Sequence, residues 1–239
     1  MKNIVLLSGG VDSLTTTLML MKRKVTFQGV YLYLGHKYGA EERETVLDLY
    51  HTLDVDGAIF DFENIGIFEK DNAEIPFRND MLILFAAMMG ATDIYLSVEQ
   101  GTEDNLSRDR SPEFMERIEH YLSWRVRDGI YVHNLVGEMT KQDEMKWILD
   151  NYPIMGDMYL KETFSCYTPN LGMMCGNCKA CIRWFLAAIP LGIERSDWGQ
   201  DPRKSKVLQK YILDVNSGKY GGRRGQQYKE AFAKLGVKL

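Results

Sequence analysis

The stretch Ile4-Val5-Leu6-Leu7-Ser8-Gly9-Gly10-Val11-Asp12-Ser13 decides how the rest of the chain is read. Its apolar half has the length of a buried strand, which breaks at Ser8-Gly9-Gly10, and Asp12 to Met21 then follows with helical spacing. A strand that turns through glycines into a helix has a physical use. Glycines let successive backbone N–H groups converge on one point, and the helix N-terminus adds positive potential, so the turn suits a phosphate. The hydroxyls of Ser8 and Ser13 add donors. Asp12 is the misfit, because an acid repels phosphate unless a cation lies between them; it points to Mg²⁺ arriving with the phosphates. The turn is neither a Walker A loop, which requires Gly-Lys-Ser/Thr, nor G-x-G-x-x-G. A lone glycine pair would be an ordinary turn, whereas six such residues at the first strand-to-helix junction read as a phosphate grip.

Working outward, strands are expected at Val25 to Tyr33, Gly57 to Phe62, Asp93 to Val98 and Ile130 to Leu135. Helices are expected at Gly39 to Leu53, Asn79 to Met89 and Pro112 to Leu122, and from a Thr140 cap to about Leu149. Strands alternating with helices predict an α/β fold, a Rossmann-like parallel sheet covered on both faces. After Met155 the pattern becomes a cysteine-bearing loop and then a helix from about Cys178 to Ala188. Two short polar helices around a glycine-rich break at Gly218 to Gly225 are expected to follow Arg203. The expected organisation is an ATP-binding α/β domain over residues 1–155, a zinc-binding loop and helix packed on it over 156–196, and a basic helical extension over 197–239.

All four cysteines lie between Cys166 and Cys181, three of them as Cys175-Gly-Asn-Cys178-Lys-Ala-Cys181. Short spacing of this kind aims neighbouring thiolates at one metal, and four thiolates close a tetrahedral Zn²⁺ site. The reading is a structural zinc on Cys166, Cys175, Cys178 and Cys181, with an iron–sulfur cluster as the rival. No apolar run approaches a membrane span and no signal peptide is evident, so a cytoplasmic protein is expected. The 239 residues carry a formal charge of -4, yet residues 203–239 hold ten Lys and Arg against two acids. That basic tail makes nucleic-acid contact conceivable without predicting it.

Ser8 to Ser13 resembles the signature of the N-type ATP pyrophosphatases, the PP-loop enzymes. In order along the chain come Ile75-Pro76-Phe77-Arg78-Asn79, Pro112-Glu113-Phe114, Thr140-Lys141 and Ser165-Cys166-Tyr167 leading to the cysteines. Together these resemble the 7-cyano-7-deazaguanine synthase family, from the start of the chain to about residue 190. The resemblance implies ATP-dependent conversion of 7-carboxy-7-deazaguanine and ammonia to the nitrile. Adenylation comes first, then an amide, then dehydration with further ATP, in an enzyme that is a homodimer. It implies that Ser8, Gly9, Gly10, Asp12 and Ser13 hold pyrophosphate. It also implies catalytic roles for Asp12, Ser13, Arg78 and Lys141, and substrate contacts for Arg78, Asn79, Glu99 and Asp109.

Bland readings stand beside these. Asn79 is a good helix cap, Lys141 fits a solvated first helical turn, and His36-Lys37-Tyr38 and Glu99 to Arg110 suit surface loops. The sequence also departs from the family. Phe77 stands where a small residue is usual, which would reshape the pocket, and the loop to Arg110 lacks the family's Gly-Tyr-Pro-Asp-Cys-Arg. Two rivals follow: a related PP-loop enzyme that stops at the amide or adenylates another carboxylate, and a nucleic-acid-binding zinc module with a vestigial nucleotide site.

Overall fold

The computed structural model describes residues 2–100, 108–126 and 129–237. Its centre is a five-stranded, wholly parallel sheet in the order β3-β2-β1-β4-β5. The strands are β1 (Asn3–Leu6), β2 (Gln28–Tyr33), β3 (Gly57–Asp61), β4 (Asp93–Leu96) and β5 (Tyr131–His133). Side chains alternate across a strand, so each strand feeds two cores. Ile4, Leu6, Val30, Leu32, Ile94 and Leu96 pack with α3 (Arg78–Met88) and α4 (Pro112–Arg125). Leu7 and Tyr31 pack with α1 (Val11–Lys22), α2 (Gly39–Thr52) and α5 (Lys141–Asn151) on the other side. This is the three-layer arrangement that βα alternation requires.

The topology places the site. The chain lays β2 and β3 to one side of β1, then crosses to put β4 on the other. Where winding reverses, the connections at the carboxyl ends of the two strands diverge and leave a crevice. Leu6 pairs with Leu96, so Ser8-Gly9-Gly10 and Ser97-Val98-Glu99 leave adjacent strands at the same level and border one crevice.

Four elements, β2 and three helices, differ from their sequence expectation. β2 begins at Gln28 because the end of α1 uses the preceding residues: Lys24 is left-handed (φ 56) and the Val25 N–H donates to Leu20 O at 3.0 Å. A further helix, α6 (Gly156–Glu162), precedes the cysteine loop; seven residues with only Gly156 and Leu160 buried are too few to show a period. The two C-terminal helices, α8 (Lys206–Asn216) and α9 (Gly222–Lys234), are amphipathic rather than polar throughout. Leu208, Tyr211, Val215, Tyr228, Ala231 and Phe232 pack on Ile182, Phe185 and Leu186 of α7 (Lys179–Ala188). Charges on their outer faces hid this spacing. The glycine-rich break is confined to 217–221, since Gly222 and Gly225 lie inside α9, where a Cβ on Gly225 would come within 2.2 Å of the Tyr220 carbonyl oxygen. No helix of the described residues is long and apolar enough to cross a membrane.

Candidate active site

The turn after β1 is built as its residues require. Gly9 is left-handed (φ 75), and a Cβ there would lie 2.8 Å from Thr45 Cγ2 on α2, so both backbone and space demand glycine. Gly10 caps α1 without a side-chain hydrogen bond, which leaves the first amides of the helix for a ligand. Ser13 closes the turn: its Oγ accepts the Ser8 N–H at 3.2 Å and donates to Gly10 O at 3.1 Å. Ser8, with its Oγ 3.4 Å from Ser13 Oγ, is exposed and lines the crevice.

The acid in the turn has a cation beside it. Asp12 Oδ1 pairs with Lys141 Nζ, and the same ammonium lies 3.7 Å from Glu144 Oε2. Lys141 is the first residue of α5. It is fixed there by a capping box in which Thr140 Oγ1 accepts from Asp143 N and Asp143 accepts from Thr140 N. Burial alone would raise the Asp12 carboxyl, but the Lys141 ammonium, with help from Glu144 and Arg183, more than offsets it and holds the group at about 2. Burial opposes the charge of Lys141 too, and Asp12 and Glu144 overcome that and raise its pKa. Glu144, wholly buried beside the Asp12 charge, is pushed well above the usual carboxylate range.

Ser8, Gly10, Asp12, Arg78, Glu99 and Lys141 line a single cavity of about 180 Å³, with Cys166 at its wall. A more apolar pocket of about 100 Å³ adjoins it, formed by Leu6, Val30, Leu32, Leu96 and Asn79, with Ser8 and Arg78 shared between the two. Burial opposes the Arg78 charge, and Tyr38, Glu42 and Tyr167 around it raise its pKa on balance. Asn79 and Asp109 meet each other: Asn79 Nδ2 donates to Asp109 O at 3.1 Å and Oδ2 at 2.9 Å. Glu99 has one carboxylate oxygen on Arg183 and the other on Arg224. Phe77 faces away from the cavity, is 79% exposed, and lines a neighbouring cleft with Pro76, Asp109 and Phe114. Of the polar stretch from Glu99 to Arg110, residues 101–107 lie outside the described residues.

The four cysteine sulfurs lie within 4.8 Å of one another. Cys175 and Cys178 Sγ are 3.8 and 3.5 Å from Cys181 Sγ, close to the ~3.8 Å edge of a tetrahedron with Zn–S bonds of about 2.3 Å. Backbone N–H groups turn toward the sulfurs, from Cys175 to Cys166 Sγ at 3.2 Å and from Cys178 to Cys175 Sγ at 3.2 Å. The donor set, spacing and amide support fit a metal thiolate centre. Cys178 caps α7, so a metal here would tie the start of that helix to Ser165 and Cys166 at the cavity wall.

Sequence reading passed over Glu42, Arg110, Glu144 and Arg183. Arg110 reaches the cavity, and its Nε has no hydrogen-bond partner among the described residues. Arg183 did leave a trace, as the one charge in the apolar run Ala180-Cys-Ile-Arg-Trp-Phe-Leu-Ala-Ala188.

Residues 69–184 match the profile of a family described as queuosine biosynthesis protein QueC. The 7-cyano-7-deazaguanine synthase of Rickettsia prowazekii (strain Madrid E) is 26% identical over 213 residues, covering 76% of this chain and 91% of its own length. That of Rickettsia conorii is 26% identical over 215 residues with the same coverage. That of Rickettsia felis is 24% identical over 210 residues, also with the same coverage. A 4-thiouridine synthetase, solved with RNA and bound ATP, aligns over 97% of this chain and 53% of its own at 13% identity and a TM-score of 0.40, too distant to carry an argument.

Two outcomes are expected from this geometry. An Asp12 carboxyl held at about 2 against an ordinary 3.8 contributes stability in full above the ordinary value and loses it as pH falls through about 2. Asp12→Asn should therefore cost roughly 2 kcal/mol in urea unfolding at pH 7, and the gap to wild type should close toward pH 2; a gap independent of pH refutes the pairing. Metal analysis of the purified protein should find about one zinc per chain, lost in Cys175→Ser; iron with visible absorbance would overturn a zinc assignment.

Proposed function

We propose that this chain, which is similar to the 7-cyano-7-deazaguanine synthases, converts a 7-deazapurine carboxylic acid, 7-carboxy-7-deazaguanine, to the nitrile with ATP and ammonia. The observation that carries this reading is one cavity holding the Ser8-Gly9-Gly10 turn, the Asp12–Lys141 pair and Arg78. Acyl activation by nucleotide transfer needs little covalent chemistry from protein. It needs two anions held in line and charge stabilised as pyrophosphate leaves.

In this reading the open amides of α1 and the hydroxyl of Ser8 take the departing pyrophosphate. Lys141, kept charged by Asp12, balances negative charge growing on the phosphates. Mg²⁺ bound with ATP would supply further charge neutralisation there, and Asp12 is the carboxylate placed to meet it. The apolar pocket at the ends of β1, β2 and β4 suits a flat purine-like base, and Arg78 at the junction suits the oxyanion between base and phosphates. The substrate carboxylate oxygen attacks the α-phosphorus and pyrophosphate departs. Ammonia then attacks the acyl carbon and displaces AMP, leaving the amide and a proton. The amide oxygen attacks the α-phosphorus of a second ATP, pyrophosphate and one N–H proton depart to give the adenylated imidate, and loss of AMP with the second N–H proton leaves the nitrile. Zinc on the four cysteines would be closed and structural, holding α7 against the cavity.

Incubation with 7-carboxy-7-deazaguanine, ATP and ammonia, followed by mass spectrometry, should show the nitrile. Lys141→Met should slow its formation by about a hundredfold or more. Accumulation of the amide alone would reassign the chain to a synthase that stops one step earlier, and no consumption of this acid would refute the substrate.

A further inference from the structure

Arg183 and the C-terminal helix α9 have no part in the assignments above, yet the two meet at Glu99 in the wall of the cavity. Arg183 NH2 lines it and pairs with Glu99 Oε2. Glu99 Oε1 is taken by Arg224 NH2 from α9, 125 residues further along the chain. The Glu99 side chain is 5% exposed, that of Arg224 16% and that of Arg183 28%, so the innermost charge is the carboxylate and Arg183 is the more open of the two cations. One carboxylate shared between two guanidiniums leaves a surplus positive charge. In a partly buried site such a surplus favours an anion.

α9 is joined to the same region at a second place. Thr140 Oγ1 and Gln227 Oε1 are 2.6 Å apart, Gln227 Nε2 donates to Asp143 Oδ1 at 2.9 Å, and Arg223 Nε lies 3.2 Å from Asp143 Oδ2. Thr140 and Asp143 are the capping box that sets Lys141. The apolar side of α9, Tyr228, Ala231 and Phe232, is seated against α7, the helix that carries Arg183. The basic extension thus touches the holders of two cations of the cavity, Lys141 and Arg183.

We infer that Arg183 is an oxyanion-binding residue of this cavity, and that Arg224 of the C-terminal helix is a positioning residue that orients it through Glu99. The oxyanion is the polyphosphate of the nucleotide or the carboxylate of the acid, groups that a guanidinium meets with the same paired N–H donors. Arg224 does not line the cavity and acts by occupying one Glu99 oxygen, which fixes the carboxylate plane and with it the Arg183 fork. The inference deepens the proposed function and rests on it for the identity of the anions, while the anion site itself stands on geometry.

The test is calorimetric titration of the full-length protein with inorganic pyrophosphate, which requires no turnover, alongside KM and kcat for the acid. Arg183→Ala should weaken pyrophosphate at least about tenfold, the scale of one lost charge-assisted hydrogen bond. Arg224→Ala should weaken it by a smaller factor and Arg224→Lys should restore most of it, because lysine still offers Glu99 a cation. If pyrophosphate binding is untouched but KM for the acid rises tenfold in Arg183→Ala with kcat little changed, the anion is the carboxylate and the inference holds in that form. Unchanged binding and unchanged KM in a folded Arg183→Ala overturn it, and Arg183→Gln serves where the alanine variant does not fold. Wild-type behaviour of Arg224→Ala, or a loss that Arg224→Lys does not relieve, removes the positioning role. Failure to form nitrile with pyrophosphate binding intact and sensitive to Arg183 would count against the proposed reaction and not against the anion site.

Discussion

An acid placed beside the open amides of a helix N-terminus cancels their positive potential unless a cation neutralises it, and the pairing of Asp12 with Lys141 is the contact on which the rest of the site depends. It ties α1 to α5 and favours the charge of a lysine that burial opposes. Without that ammonium the Asp12 charge would oppose any phosphate arriving at the amides of α1. With it, the turn keeps a positive face and Lys141 stays aimed at the same point. The pair forces other features into place. Lys141 must begin a helix, so Thr140 and Asp143 cap it, and Glu144 one turn on becomes a buried carboxyl with a raised pKa.

The fold supplies the level at which these groups meet. Reversal of winding between β1 and β4 opens the crevice, and the aligned register of Leu6 with Leu96 brings Glu99 to the side of the Ser8-Gly9-Gly10 turn. The cysteine cluster adjoins the cavity through Cys166. Cys178 caps α7, so holding the four sulfurs together also holds Arg183 inward.

Much of this was legible in the sequence, because the features concerned are local. A glycine turn between strand and helix, cysteines three residues apart and a threonine three residues before an aspartate each announce their geometry within a few positions. The parallel sheet followed from the alternation of apolar strands and helices. What stayed hidden is long-range. Nothing around Glu99 indicates that two arginines, one 84 and one 125 residues away, occupy its oxygens, or that Asn79 spends its amide on Asp109. The C-terminal helices read as polar because their outward charges outnumber the few apolar residues that seat them, and Phe77 read as a pocket residue because sequence does not show that a left-handed backbone turns it outward.

The most direct test of the central claim follows oxygen. If the cavity activates a carboxylate by adenylation, 7-carboxy-7-deazaguanine labelled with ¹⁸O in its carboxylate should pass one labelled oxygen into AMP during amide formation. The account predicts labelled AMP with unlabelled pyrophosphate. Label recovered in inorganic phosphate with ADP as the other product, or no transfer of label to AMP, would contradict it.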